Sequence, residues 1–259
     1  YPGDDDVDEY SSSSVSGIDN GMVVDVDSES LSTETSAEMF NGYGDMMSTY
    51  SEHVQPGQPF VAGHHSLVAV QINVTSLSQR VISWLLHNTK YHIVAIQEHH
   101  LTHDKYHTCR QKLRRSYHVY SRPTKSTING GTSGGSMLLI RRDLESRHPV
   151  VPLACHNAVL AQVRIKGANL LFGSIYCPPN DRQQVLTTLH KVQACVALMG
   201  CPYMLMGDWN MTPQEIQEIN WWPANTGALL IPNVQNTVIS PHGRVVDYGI
   251  AGNHMHALI

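Results

Sequence analysis

Short apolar runs that stop at or near a polar residue constrain the fold of this sequence more than any other feature. The runs occupy residues 67–74, 92–97, 169–175, 202–206 and 245–251. Runs of about five to eight residues suit buried strands and are too short for most helices. Helical patterns lie between them, most clearly at residues 79–88 and 182–198. Strands interspersed with helices predict a layered α/β sandwich.

Each apolar run delivers a polar side chain just past its end or within it. The residues concerned are Asn73, Glu98, Tyr176, Asp208 with Asn210, and Asp247. A rigid sheet can position such side chains while their polar heads reach solvent. Carboxylate and amide oxygens are hard ligands that suit Mg²⁺ or Mn²⁺, and a carboxylate can also deprotonate a water nucleophile. The pattern therefore favours metal-dependent phosphate chemistry.

Each of these residues taken alone also has a simpler structural interpretation. Asn73 could be a turn residue and Glu98 a surface charge after a strand. Tyr176 could serve core packing. Asp208 with Asn210 is the hardest pair to explain in this way, because the preceding Gly207 permits close approach to a ligand.

The first 65 residues differ from the rest of the chain in charge. They hold 13 of the 22 acidic residues and no Lys or Arg. Because such a segment cannot bury enough apolar surface to offset its chain entropy, residues 1–65 are predicted to be an acidic, Ser/Gly-rich disordered segment, followed by a domain at 66–259. That domain contains all 17 Lys and Arg residues and nine acidic residues, and is near +8. It suits a polyanion such as nucleic acid, although an ordinary solvated surface would have the same composition.

Several classes of protein are disfavoured by the sequence. The five cysteines form no CxxC pair, which argues against a disulfide framework or a zinc knot and for reduced thiols. No apolar run is long enough to span a membrane, and the acidic start is not typical of a signal peptide. We therefore expect an intracellular protein, compatible with a nuclear location and neither secreted nor membrane-bound. The sequence offers no basis for assigning an oligomeric state.

Two clusters of chemically active side chains lie between the second and third apolar runs. His99, His103 and His107 recur at every fourth residue, a spacing that would align them on a helix as a zinc site, although a His-rich surface is commoner. A basic cluster follows, which could track a nucleic-acid backbone or be a solvated helix face. Its members are Arg110, Lys112, Arg114 and Arg115.

A glycine-rich stretch at residues 129–135 is predicted to be a loop, because four glycines oppose any regular element. It lacks the Lys-Ser or Lys-Thr pair of a phosphate-binding P-loop. A nucleotide site is therefore not expected there.

Six short motifs, in order along the chain, resemble those of the endonuclease/exonuclease/phosphatase superfamily. They are Gln71-Ile72-Asn73, Ile96-Gln97-Glu98, Gly134-Gly135-Ser136-Met137, Ile175-Tyr176-Cys177-Pro178, Gly207-Asp208-Trp209-Asn210 and Val246-Asp247-Tyr248. Each motif is short, so the resemblance depends on their order and spacing over about residues 66–259. It implies a DNase I-like fold, a four-layered α/β sandwich of two packed β-sheets flanked by helices. The motifs are most similar to those of apurinic/apyrimidinic and LINE-type retrotransposon endonucleases.

The resemblance also implies a metal ion and its ligands. Glu98 would be the principal ligand of Mg²⁺ or Mn²⁺, with Asn73 beside it. The metal would polarise the phosphoryl oxygen and offset the charge that develops during hydrolysis.

Four further residues acquire catalytic roles from the same resemblance. Asp208 would orient or deprotonate the attacking water, and Asn210 would hold Asp208 and the scissile phosphate. Tyr176 would contact the phosphate, and Asp247 would orient a catalytic histidine.

The sequence departs from the superfamily pattern in two places. No Ser-Asp-His motif follows Asp247, although His254 and His256 do, so we expect the domain to be incomplete at its C-terminus. Asn180 stands one residue later than in the apurinic endonuclease pattern, because two prolines precede it, and we assign it no role.

Three functions therefore remain open from the sequence. The first is a divalent-metal-dependent phosphodiester hydrolase, an endonuclease acting on DNA, which the net positive domain favours. The second is a catalytically impaired remnant of the same fold that binds nucleic acid or a partner. The third is a phosphatase acting on small phosphoesters.

Overall fold

The structure is a computed structural model of the chain. It describes residues 67–255 except for 75, 89, 123, 127–131, 151–152, 154, 234–236, 238–242 and 253–254. For residues 21–26, 37–40, 125–126 and 132–133 it describes the backbone alone.

The described strands and helices alternate along much of the chain. The strands are β1 (Gly21–Val26), β2 (Ala37–Phe40), β3 (Leu67–Asn73), β4 (Ile93–Gln97), β5 (Tyr117–Arg122), β6 (Lys125–Ser126), β7 (Thr132–Ser133), β8 (Ser136–Arg141), β9 (Glu145–Arg147), β10 (Ala158–Ile165), β11 (Ala168–Tyr176), β12 (Tyr203–Asp208), β13 (Ala228–Leu230) and β14 (Asp247–Ala251). The helices are α1 (Gln79–His87), α2 (His103–Leu113), α3 (Arg182–Met199), α4 (Pro213–Glu218) and α5 (Trp222–Thr226). None of these helices is both long and apolar enough to cross a membrane.

Two six-stranded sheets form the body of the fold. The first has the order β2-β1-β3-β4-β8-β5 and the second β13-β14-β12-β11-β10-β9, while β6 and β7 pair separately. Strand β3 is parallel to β4 in the first sheet, and β11 is parallel to β12 in the second. The carboxyl ends of each parallel pair therefore lie at one edge of their sheet.

Apolar side chains fill the space between the sheets and beneath the helices. Ile93 of the first sheet and Phe172 and Met204 of the second belong to one buried cluster. Two further clusters join α1 and α2 to the first sheet, and α3, α4 and α5 to the second. The predicted four-layered α/β sandwich is therefore confirmed.

Local sequence signals explain several element boundaries. The β10–β11 hairpin turns at Lys166 and Gly167, which have φ of 48° and 86°, a left-handed conformation that glycine adopts without steric cost. Helix α4 begins with a reciprocal capping box between Thr212 and Glu215, with proline at its start.

The structure differs from the sequence-based expectations at several strands. Ten residues of the segment predicted to be disordered form β1 and β2, and β1 pairs with β3. A physical reason is that the edge of β3 offers unpaired backbone groups to an apolar segment such as Gly21–Val26. The remaining residues up to 66 lie outside the described part. Within the predicted glycine loop, Thr132–Ser133 forms β7 by pairing with β6.

Candidate active site

All six residues that the sequence singles out lie at one edge of the sandwich. Asn73 ends β3 and pairs in register with Gln97, the last residue of β4, which Glu98 follows. In the second sheet, Tyr176 pairs with Asp208, and Asp208 pairs with Asp247. Asn210 lies two residues beyond Asp208.

The Asn73 amide connects the two sheets at this edge. Its Nδ2 donates to Asp208 Oδ2 at 3.1 Å and is 3.4 Å from Glu98 Oε1. Glu98 and Asp208 also lie within hydrogen-bonding reach of each other. An amide and two carboxylates from three different strand ends therefore meet at one place.

Burial perturbs the acidity of the carboxyl groups here. Burial, followed by the negative charge of Asp247 and the contact with Glu98, raises the pKa of Asp208. The pKa of Asp247 is also raised, chiefly by burial, while hydrogen bonds from Thr237, Asn73 and Gln71 oppose the rise. Crowded carboxyl groups in a low-dielectric site disfavour full ionisation unless a cation is nearby.

Two residues of the site adopt left-handed backbone conformations. Asn210 has φ of 48°, and its backbone N–H donates to Asp208 Oδ1 at 3.1 Å while its Nδ2 donates to the Cys177 carbonyl at 2.7 Å. Glu98 has φ of 53°, which is a rarer conformation for Glu than for Asn. Such strain persists where the surrounding structure fixes a residue firmly, and it clusters at functional sites.

The Gly134-Gly135 motif packs against two side chains of this edge. A Cβ on Gly134 would lie 3.0 Å from the Tyr176 ring, and one on Gly135 would lie 2.7 Å from the His99 ring. Both glycines also have positive φ, of 72° and 102°. The motif therefore allows close approach of the backbone to Tyr176 and His99.

The sequence-based zinc hypothesis for the three histidines is wrong. His99 is buried ahead of helix α2, while His103 and His107 are exposed on it, so the three rings do not share a helix face. His99 Nδ1 accepts from the Leu101 N–H at 3.1 Å, and burial lowers the pKa of His99 to about 4. It is therefore a neutral structural histidine at physiological pH.

Sequence reasoning missed two buried glutamines and a nearby histidine. Gln71 bonds both backbone groups of Gly207 and reaches Asp247, and Gln97 Nε2 donates to Ser174 Oγ at 2.9 Å. His100 Nε2 lies 3.5 Å from Glu98 Oε2. The sequence could have indicated a structural role for the two glutamines, because an amide side chain within an apolar strand is buried and needs a hydrogen-bond partner.

Gln71→Leu is expected to destabilise the fold without altering the shape of the core greatly. The substitution removes the hydrogen bonds that Gln71 makes to both backbone groups of Gly207 and to Asp247, each worth about 0.5–1.5 kcal/mol. For a domain of this size, each kcal/mol lowers Tm by about 2–4 °C. Thermal unfolding measures the change. Gln217→Leu, on the exposed face of α4, is the matched control, and an equal Tm for both variants would contradict this role of Gln71.

A cleft of about 470 Å³ opens beside Asn210, between the segment that follows β11 and the segment that follows β12. Its apolar walls include Pro178, Leu186, Met211 and Ile219, and the charged residues Arg182, Glu215 and Glu218 also line it. The cleft therefore combines apolar walls with one cation and two carboxylates next to the strand ends that carry the candidate active site.

The fold and the site together define an α/β sandwich with acidic and amide side chains gathered at the carboxyl edge of its sheets. The chain belongs to the Endonuclease/Exonuclease/phosphatase family, whose model matches residues 72–248. A direct sequence comparison with curated proteins finds no match.

Three solved structures share the fold at low sequence identity. The AP endonuclease LMAP from Leishmania major is 10% identical, with 73% of this chain and 80% of that chain covered and a TM-score of 0.58. The endonuclease domain of TRAS1, a telomere-specific non-LTR retrotransposon, is 15% identical, with coverage of 72% and 85% and a TM-score of 0.52. The 3′ phosphatase NExo from Neisseria, bound to a product DNA hairpin, is 16% identical, with coverage of 73% and 88% and a TM-score of 0.50.

Proposed function

We propose that this chain is a divalent-metal-dependent phosphodiester hydrolase that cleaves DNA internally. The observation that carries the proposal is the meeting of Glu98, Asp208 and Asn73 at the edge where both sheets present strand ends. Phosphodiester hydrolysis needs an activated water and a way to offset developing negative charge, and this donor set can supply both. Membership of the family, which contains nucleases and phosphatases, supports the reaction class.

The donor set fits Mg²⁺ or Mn²⁺. Among the described residues, no three His, Cys, Asp or Glu side chains are grouped to hold a metal by themselves. Mg²⁺ is commonly held by one or two carboxylates and takes its other ligands from water and substrate phosphate oxygens. Glu98 would be its principal ligand, with Asn73 beside it. When bound, the ion would act as a Lewis acid toward the phosphoryl oxygen.

The remaining residues would act directly on water and phosphate. Asp208 would orient the attacking water and accept its proton, because its position beside Asn73 and Glu98 places a carboxylate at the centre of the site. Asn210 fixes Asp208 through its backbone N–H, and its side chain would help to hold the scissile phosphate. Tyr176 would contact the phosphate, and Asp247 would orient a catalytic imidazole.

Nucleic acid is the substrate class that the surroundings of the site favour. The domain after residue 65 is near +8, which attracts a polyanion. The cleft beside Asn210 has apolar walls, with Arg182, Glu215 and Glu218 also lining it, and its apolar part could accommodate the nucleoside next to a scissile phosphate. The solved structures with a similar fold include an AP endonuclease, a retrotransposon endonuclease domain and a DNA-bound 3′ phosphatase.

A substrate panel tests this proposal. With Mg²⁺ we expect the chain to convert supercoiled plasmid to nicked circles and to cut an abasic duplex, with little release of phosphate from p-nitrophenyl phosphate. Efficient hydrolysis of the monoester without plasmid nicking would instead identify a small-molecule phosphatase. Retained DNA binding without any cleavage would identify a non-catalytic binding domain of the same fold.

A further inference from the structure

The basic cluster that the sequence places before β5 lies away from the carboxyl groups of the candidate active site. Strand β5 runs antiparallel to β8, with Tyr117 opposite Arg141 and Arg122 opposite Ser136. Ser136 pairs with Gln97 at the active-site edge. Because β5 spans six residues, Tyr117 lies about 17 Å from that edge.

Three arginines from two separate segments meet at this far end of the first sheet. Arg114 and Arg115 follow helix α2, and Arg142 follows β8. Arg142 Nε donates to the Arg114 carbonyl at 2.5 Å, and its backbone N–H donates to the Ser116 carbonyl at 3.0 Å. All three arginines are exposed. We call these three residues the distal arginine surface.

The two carboxylates that follow Arg142 in the sequence, Asp143 and Glu145, lie beside other arginines. Asp143 accepts two hydrogen bonds from Arg141, at 2.7 and 2.6 Å. Glu145 lies opposite Arg164 in the pairing of β9 with β10. In the part of the chain that the structure describes, none of the recorded ion pairs joins a carboxylate to Arg114, Arg115 or Arg142.

The pKa of a neighbouring histidine agrees with an excess of positive charge at the distal arginine surface. The pKa of His118, on β5, is lowered first by burial and then by the charge of Arg142. Arg110 and Lys112, exposed on the last turns of α2, add to the same sign of charge. Basic residues at a helix C-terminus stabilise the helix through its dipole, but that effect does not account for Arg142, which belongs to another segment.

We propose that the distal arginine surface is a second phosphate-backbone-binding site, which holds DNA outside the cleavage site. Arginine suits this role better than lysine, because its planar guanidinium can bind a phosphate through two parallel hydrogen bonds. Arginines gathered from two segments present more than one such group to a strand that carries a phosphate about every 3.4 Å along its axis. The site would raise the affinity for long DNA without taking part in cleavage.

The test is the equilibrium binding of a fluorescein-labelled DNA duplex, measured in the presence of a chelator. Because binding under these conditions requires no cleavage, failure of the proposed hydrolase activity would not affect the result. The variant Arg114→Gln/Arg115→Gln/Arg142→Gln removes three cations. We expect the slope of log affinity against log salt to become less steep by about 2 to 3, since each phosphate contact contributes about 0.9. The affinity at low salt should fall about tenfold or more.

The control variant Arg80→Gln/Lys105→Gln/Lys191→Gln removes the same charge from other exposed positions. It should leave the slope almost unchanged, and an equal effect of both triple variants would overturn the proposal in favour of a general field effect. If the wild-type chain instead prefers anionic phosphatidylserine vesicles, and the first triple variant loses that binding, the proposal is overturned in favour of a lipid surface. If the first triple variant unfolds, Arg115→Gln alone should reduce the slope by about 0.9, and an unchanged slope would overturn the proposal.

Discussion

Asp208→Ala is expected to lower the rate of Mg²⁺-dependent plasmid nicking by roughly 10²–10⁴-fold, the usual contribution of a positioned acid or base. The loss follows from the place of this carboxyl group, which accepts from Asn73 Nδ2 and from the Asn210 backbone N–H. Without it, the site loses the one carboxylate that accepts from both of these residues and that we propose orients the attacking water. The rate of conversion of supercoiled to nicked plasmid measures the effect.

The matched control for this substitution is Asp104→Ala, at the exposed start of α2. It should cleave at the wild-type rate. The Asp208→Ala protein should remain folded in the absence of metal, because the substitution removes a buried carboxyl group whose pKa is raised by burial and by neighbouring negative charge. Cleavage at an undiminished rate by a folded Asp208→Ala protein would contradict the proposed mechanism.

Mg²⁺ or Mn²⁺ is expected to stabilise the fold strongly, and more at pH 8 than at pH 6. The pKa of Asp208 is raised above its unfolded-state value of about 3.9, so the folded carboxyl groups bind protons more tightly than the unfolded ones do. In the absence of metal, the contribution of these carboxyl groups to stability is therefore greatest at low pH and is lost as the pH rises through the raised pKa. A bound cation would offset this loss, and at low pH it must compete with the protons.

Thermal unfolding with and without metal measures this effect. At a metal concentration about 100 times Kd, the stabilisation is about 2.7 kcal/mol, which raises Tm by about 5–10 °C for a domain of this size. Glu98→Gln should lose most of the metal-induced rise, while Glu145→Gln, exposed on β9, should keep it. A metal-induced rise that is equal in both variants would show that the ion binds elsewhere.

The sequence predicted the strands and the polar residues near their ends well where the signal was local. Apolar runs set the strands, and the polar residues that follow them could be identified before any pairing was known. Because β3 is parallel to β4 and β11 to β12, the polar residues that follow each parallel pair share an edge of their own sheet. The capping box of α4 and the turn at Lys166 and Gly167 also depend only on residues close in sequence.

Long-range contacts could not be predicted in the same way. Gln71 meets Gly207 across 136 positions of the chain, and nothing in the residues near Gln71 specifies that partner. The short, polar edge strand Glu145–Arg147 has no apolar alternation to reveal it. The distance of Arg114 and Arg115 from the candidate active site depends on the direction of β5 within the sheet, which the sequence does not encode locally.

In the proposed function, Glu98, with Asn73 beside it, holds a divalent cation and Asp208 activates the water, so that metal binding and DNA cleavage occur at one site. The most direct measurement is a Mg²⁺ titration of the wild-type chain, in which the rate of plasmid nicking and the rise in Tm are followed in parallel. We expect multiple-turnover nicking that is absent in chelator and that reaches half its maximum at the same Mg²⁺ concentration as the rise in Tm. Nicking that persists in chelator, or no nicking at a Mg²⁺ concentration that fully stabilises the fold, would contradict the claim.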